Sequence, residues 1–106
     1  GLAAGAIGGI GGTYGAMPEL FLKVRELFLA GELERAREIQ NECCRIIYKM
    51  CSGQGNMYAV IKGVLRSQGA PDCGGVRLPL APLTQGDKAV VEESAAMISA
   101  AIAKYC

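Results

Sequence analysis

Residues 5–15 read "GAIGGIGGTYG", and the fold turns on what the first six of them are. Small and aliphatic residues from Gly5 to Ile10 form a short apolar run closed by glycines, the pattern of a fully buried strand. Seven glycines fall in the first fifteen residues, a density that lets the backbone turn tightly and approach another group closely. A single strand cannot satisfy its own N–H and C=O groups, so this run requires partner strands that the remaining sequence does not supply.

The remainder reads as helix. Met17, Leu20, Phe21, Val24, Leu27 and Phe28 recur at steps of three and four, with Pro18 in the first turn and Gly31 at the end, which predicts a helix over 17–30. In "ELERAREIQNECCRIIYKM" the residues Leu33, Ala36, Ile39, Cys43, Ile46, Ile47 and Met50 share a face, predicting a second helix ended by "CSGQGN". Asn56 is placed to cap a third, through about Gln68, with Tyr58, Ile61, Val64 and Leu65 inward and Gly69 closing it. The short loop between them predicts near-antiparallel neighbours. Three of the four prolines lie in residues 70–86, "APDCGGVRLPLAPLTQG", an extended strap. Asp87 is read as the cap of a last helix with Val90, Val91, Ser94, Ile98, Ala101, Ile102 and Tyr105 in period. The expected fold is mainly α, four helices preceded by one strand. A strand followed by a helix is one βα unit, and the natural home for a last such unit followed by extra helices is the end of a parallel barrel.

Composition narrows the function. At 106 residues the chain is one domain, far short of the roughly 250 residues of a whole barrel. Its 51% hydrophobic content argues against disorder. A net charge of +1 without a basic cluster argues against nucleic acid, and apolar runs too short for a span argue against membrane, giving a soluble, cytoplasmic expectation. Five cysteines without CxxC spacing, in a chain with no histidine, leave no zinc motif; free and mostly buried thiols are expected, and no cofactor.

Other chemistry is thin. The glycines at 5, 8, 9, 11, 12 and 15 miss the GxGxxG register, and there is no GK[ST]. A glycine turn leading into a helix still offers amides to a carboxylate, with tight strand-to-helix packing as the bland alternative. Among the lysines only Lys62, between "AVI" and "GVL", is a candidate Schiff-base amine; the expectation is that its stem lies on apolar surface and its amine reaches water. Tyr14 either faces a pocket or packs at its rim. Glu92 and Glu93 are adjacent on a helix and point apart, so no acid/base pair stands out.

"GAIGGIGGTYG" resembles the "GADGGIGSTYN" type of segment of N-acetylneuraminate lyases, and "GVRLPLAPLT" resembles the "RLP" and "P" pattern near the end of the wider dihydrodipicolinate synthase and N-acetylneuraminate lyase family. "GELERAREIQ" and "YAVIKGVLRSQG" extend the similarity through the helices. The resemblance implies a class I aldolase, a (β/α)8 barrel with a C-terminal helical extension, usually tetrameric. It makes residues 1–30 the last βα unit and residues 31–106 the three-helix extension. It implies pyruvate and an aldehyde or sugar acid as substrates. The Schiff-base lysine, the proton-shuttling tyrosine and the "GTTGE" or "GSTGE" loop of the family would all lie upstream, so the chain alone is expected to be inactive. Ile10, Gly11 and Gly12 match the family positions beside bound substrate at the end of the eighth strand. Many sialic acid lyases carry serine where this chain has Gly12; a pocket without that hydroxyl need not take N-acetylneuraminate itself. The rival expectations are a dihydrodipicolinate synthase C-terminal part and a non-enzymatic helical module for assembly or regulation.

Overall fold

The computed structural model describes all residues from Gly1 to Cys106 and contains four helices: α1 (Pro18–Leu29), α2 (Leu33–Met50), α3 (Met57–Ser67) and α4 (Asp87–Tyr105). α1 lies against α2, while α4 packs on both α2 and α3 and touches α1. α2 and α3 share the least contact of the packed pairs. α2 and α3 do touch, as neighbours joined by a short loop should, while α4 is the common partner of both.

The sequence signals act locally as expected at most helix ends. Pro18 opens α1 where its missing N–H costs nothing. After α1, Gly31 takes φ 78°, its N–H bonds Phe28 O at 3.0 Å and Glu32 N–H bonds Leu27 O at 2.9 Å, a Schellman closure. The same pair of bonds recurs after α3, from Gly69 to Arg66 O at 3.1 Å and from Ala70 to Leu65 O at 3.0 Å. Asn56 Oδ1 accepts the Tyr58 N–H at 2.9 Å and so starts α3.

The core joins Met17 and Leu20 to Ile46 and Met50 of α2, Val60 and Val64 of α3, and Ile98 of α4, all fully buried. α3 and α4 approach closely at Gly63, where an added Cβ would stand 2.9 Å from Val91 Cγ2. This contact turns the Ala59, Val60 and Val64 arc of α3 inward. Tyr58 is two residues from Val60 around a 3.6-residue turn and so lies on the far side, 49% exposed; the expectation that it faces the core is corrected. Leu33 is likewise exposed at the start of α2.

No strand forms. The N–H groups of Ile7 through Thr13 donate to no backbone carbonyl, and Ile7 and Ile10 are fully exposed. The strand expected at Gly5–Ile10 is thus not present in the isolated chain, because a β ladder needs a second strand and the chain offers only helices. No helix is long and apolar enough to cross a membrane.

Asp87 corrects another expectation. It is the first residue of α4, after Gly86, and caps no amide of its own helix. Its buried carboxylate accepts N–H bonds from Gln54 at 2.7 Å, Gly55 at 2.9 Å and Thr84 at 2.8 Å. The strap and the α2–α3 turn are thereby tied to the start of α4. Asn56 N–H adds a bond to Ala81 O at 2.9 Å.

Candidate functional site

The glycine run is built as a surface into which two tyrosines fit. A Cβ at Gly11 would lie 2.5 Å from Tyr14 Cε1 and one at Gly9 2.7 Å from the Tyr14 hydroxyl, so this ring occupies the room that side chains at 9 and 11 would take. The Tyr14 ring also packs on Phe21 of α1, with centroids 4.3 Å apart. Its N–H bonds back to Gly11 O at 3.3 Å, and the buried Thr13 offers its carbonyl to the N–H groups of Ala16 and Met17. Tyr14 therefore packs between the glycine run and Phe21.

Gly12 meets the second tyrosine. Its Cβ position is 2.9 Å from Tyr58 Cε1 and 3.6 Å from the Tyr58 hydroxyl. Tyr58 comes from the first turn of α3, where the Asn56 cap fixes its backbone. Across the same interface, Gln68 Nε2 donates to Ala16 O at 2.9 Å and ties the end of α3 to the segment before α1. Ile10, Gly11 and Gly12, the expected substrate-contacting residues, lie together on one exposed stretch. Tyr58 was missed from sequence as a site neighbour; the signal that could have found it is the Ala59/Gly63 pair of small residues, which marks the opposite face as the helix contact.

A cleft of about 240 Å³ adjoins the run on the Tyr14 side, bordered by Gly8, Gly9, Tyr14, Phe21 and Arg25. Backbone amides, the Tyr14 phenol and the Arg25 guanidinium there can bind an oxygen-rich ligand. They do not form a nucleophile with its base.

Lys62 is placed elsewhere. Its Nζ, at a solvent-accessible position, donates to Gly75 O at 2.5 Å and Cys73 O at 3.3 Å, holding the strap to α3. Lys23, Lys49, Lys88 and Lys104 pair with Glu26, Glu93, Glu92 and Glu38 respectively. The five thiols are free, but only Cys43 is buried, against the expectation of mostly buried cysteines. Burial pushes the Cys43 thiol up to about 11, which leaves it unreactive at neutral pH. The amides of Thr84 and Gln54 hold the Asp87 carboxyl down at about 2 against the cost of burial.

Over residues 1–98 the sequence matches the family model described as "Dihydrodipicolinate synthetase family". The chain belongs to this family. Among relatives of this dihydrodipicolinate synthetase family member, the N-acetylneuraminate lyase of Mediterraneibacter gnavus is 52% identical over 105 residues, covering 99% of this chain and 33% of the relative. The N-acetylneuraminate lyase of Rhizobium meliloti is 33% identical over 103 residues, covering 94% of this chain and 32% of that one. Among solved structures, the wild-type sialic acid aldolase of Ruminococcus gnavus superposes with a TM-score of 0.95 at 52% identity, over 98% of this chain and 35% of the aldolase. Its catalytic lysine mutant gives the same TM-score over 34% of its chain. The family member described here thus spans about a third of the length of the relatives it matches. Its all-helical fold superposes on about a third of an aldolase chain.

Proposed function

We propose that this chain is the C-terminal part of a pyruvate-dependent class I lyase of the N-acetylneuraminate lyase type. The observation that carries the reading is 52% identity to an N-acetylneuraminate lyase over 99% of the chain. In this reading residues 1–30 are the last βα unit of a (β/α)8 barrel and residues 31–106 are its three-helix extension. The glycine run regains strand form when the seventh and first strands flank it, which explains why two isoleucines stand in water without them. Ile10, Gly11 and Gly12 then lie at the C-terminal end of a barrel strand, where barrel enzymes place their active sites, and serve as backbone contacts and room for the substrate.

The reacting amine belongs to an upstream lysine. It condenses with the keto group of the sugar acid, losing water; the upstream tyrosine takes the proton of the carbinol hydroxyl, and the iminium accepts the electron pair of the carbon-carbon bond as the aldehyde or amino sugar departs. Protonation and hydrolysis then release pyruvate and restore the amine. The chain alone is inactive in this reading. The whole enzyme is a homo-oligomer, a tetramer as in the family, and cytoplasmic.

Two preparations test this. The isolated chain, treated with pyruvate and borohydride, is expected to keep its 11.1 kDa mass. Joined to the preceding two thirds of the Mediterraneibacter gnavus lyase, it is expected to take one pyruvate and to release pyruvate from a sialic acid. An adduct on the isolated chain would move the catalytic amine here, with Lys62 the first to replace. A folded joined chain that takes pyruvate but cleaves no sugar acid would overturn the lyase reading in favour of a synthase.

A further inference from the structure

One side chain joins the two parts of this chain by a directed bond. Gln68 Nε2 donates to Ala16 O at 2.9 Å, across 52 positions of sequence. Beyond the turn that closes α1, no other hydrogen bond or ion pair links residues 1–30 to residues 31–106, and the rest of that interface is apolar packing. Both ends of the bond are braced. Gln68 follows directly on α3, its own N–H bonds Val64 O at 3.0 Å and Leu65 O at 3.1 Å, and the closure at Gly69 fixes where its side chain leaves the helix. Ala16 is buried, and its carbonyl receives no backbone N–H. It ends a turn in which Thr13 O accepts the N–H groups of Ala16 and Met17, and that turn begins at the residue after Gly12. Apolar contact holds two surfaces together without direction, whereas a hydrogen bond fixes their register.

Resting on the reading of Ile10–Gly12 as the edge of the substrate pocket, we propose that Gln68 is a positioning residue: through Ala16 it holds the turn at 13–16, and with it the pocket edge, in register with the helical extension. The side chain itself does not touch substrate. Without the bond the turn is free to shift against the end of α3, and a sugar acid meets an edge that must first be brought back into place. That cost falls on holding the substrate and leaves the step at the upstream amine alone, so KM moves while kcat does not.

The test uses the joined enzyme and reads KM and kcat separately for cleavage of a sialic acid. Gln68→Leu, which keeps bulk and removes the donor, is expected to raise KM about 3- to 10-fold, the usual range for one neutral hydrogen bond, with kcat within about 2-fold. Gln68→Glu, which at neutral pH turns an acceptor toward Ala16 O, is expected to raise KM at least as far, and it carries the test if the leucine variant does not fold. Asp87→Asn is the control, because it loosens the strap and the start of α4 without touching the tie. It is expected to lower the melting temperature and leave KM where it was. A KM unmoved in both Gln68 variants, or raised as much by Asp87→Asn, overturns the proposal while leaving the lyase reading standing. Failure of the unsubstituted joined enzyme to take up pyruvate overturns the lyase reading, and the role of Gln68 with it.

Discussion

Two irregular segments of this chain share a composition and differ in almost everything else. Residues 70–86 and residues 1–15 are both rich in glycine or proline and short of regular structure. The first is fastened by the Asp87 carboxylate, by Asn56 to Ala81 and by the Lys62 amine on two carbonyls. The second leaves seven consecutive N–H groups, Ile7 to Thr13, without a backbone acceptor and two isoleucines in water. Order in an irregular segment comes from partners, and only one of these two is bonded along its length to the helices. The segment whose contacts are local to the helices is held, and the one without such contacts is not.

The largest effect that would sharpen this contrast comes from the core. Ile98→Ala empties a fully buried site and is expected to cost about 2–5 kcal/mol in denaturant unfolding. Ile10→Ala in the same chain is expected to stay within about 0.5 kcal/mol, because the side chain is already in water. A large loss at Ile10 would break the comparison by showing that the run has a partner after all.

Asp87→Asn comes next. The folded carboxyl titrates at about 2 and the unfolded one near 3.8, so its contribution to stability is whole above the unfolded value and drains away as pH falls from about 4 to 2. The substitution is expected to lower the melting temperature by several degrees at pH 7 and to flatten the acid limb of stability against pH. A melting curve unchanged at pH 7 would mean that the strap is held by its other bonds. The smallest effect concerns the thiols: Cys51, Cys73 and Cys106 are expected to react with an aromatic disulfide reagent within the native state, and Cys43 only on unfolding. Native-state modification of Cys43 would show the α2 face to be looser than its packing.

Helices were legible because their signals are local. Pro18, Gly31, Asn56 and Gly69 each do at the backbone what their chemistry predicts, and the apolar period of three and four marks most of the core. What escaped depends on the neighbour rather than the residue. Tyr58 fits a helical stripe with Ile61 and Leu65 on paper, but the tight approach of Gly63 to Val91 turns Ala59 and Val60 inward and leaves Tyr58 half-exposed while Ile61 stays buried. Asp87 has the chemistry of a cap, yet amides from two other segments reach it. The glycine run carries the pattern of a buried strand, but strand form depends on a neighbouring strand and the packed elements here are all helices.

The pairing of Gly12 with Tyr58 has an evolutionary consequence. A side chain at 12 displaces the ring, and loss of the ring leaves an empty rim, so the two positions are epistatic. Of the two single-step routes from this pair to serine with a small residue, one passes through a crowded intermediate and the other through a hollow one. Lineages are therefore expected to inherit positions 12 and 58 as a unit.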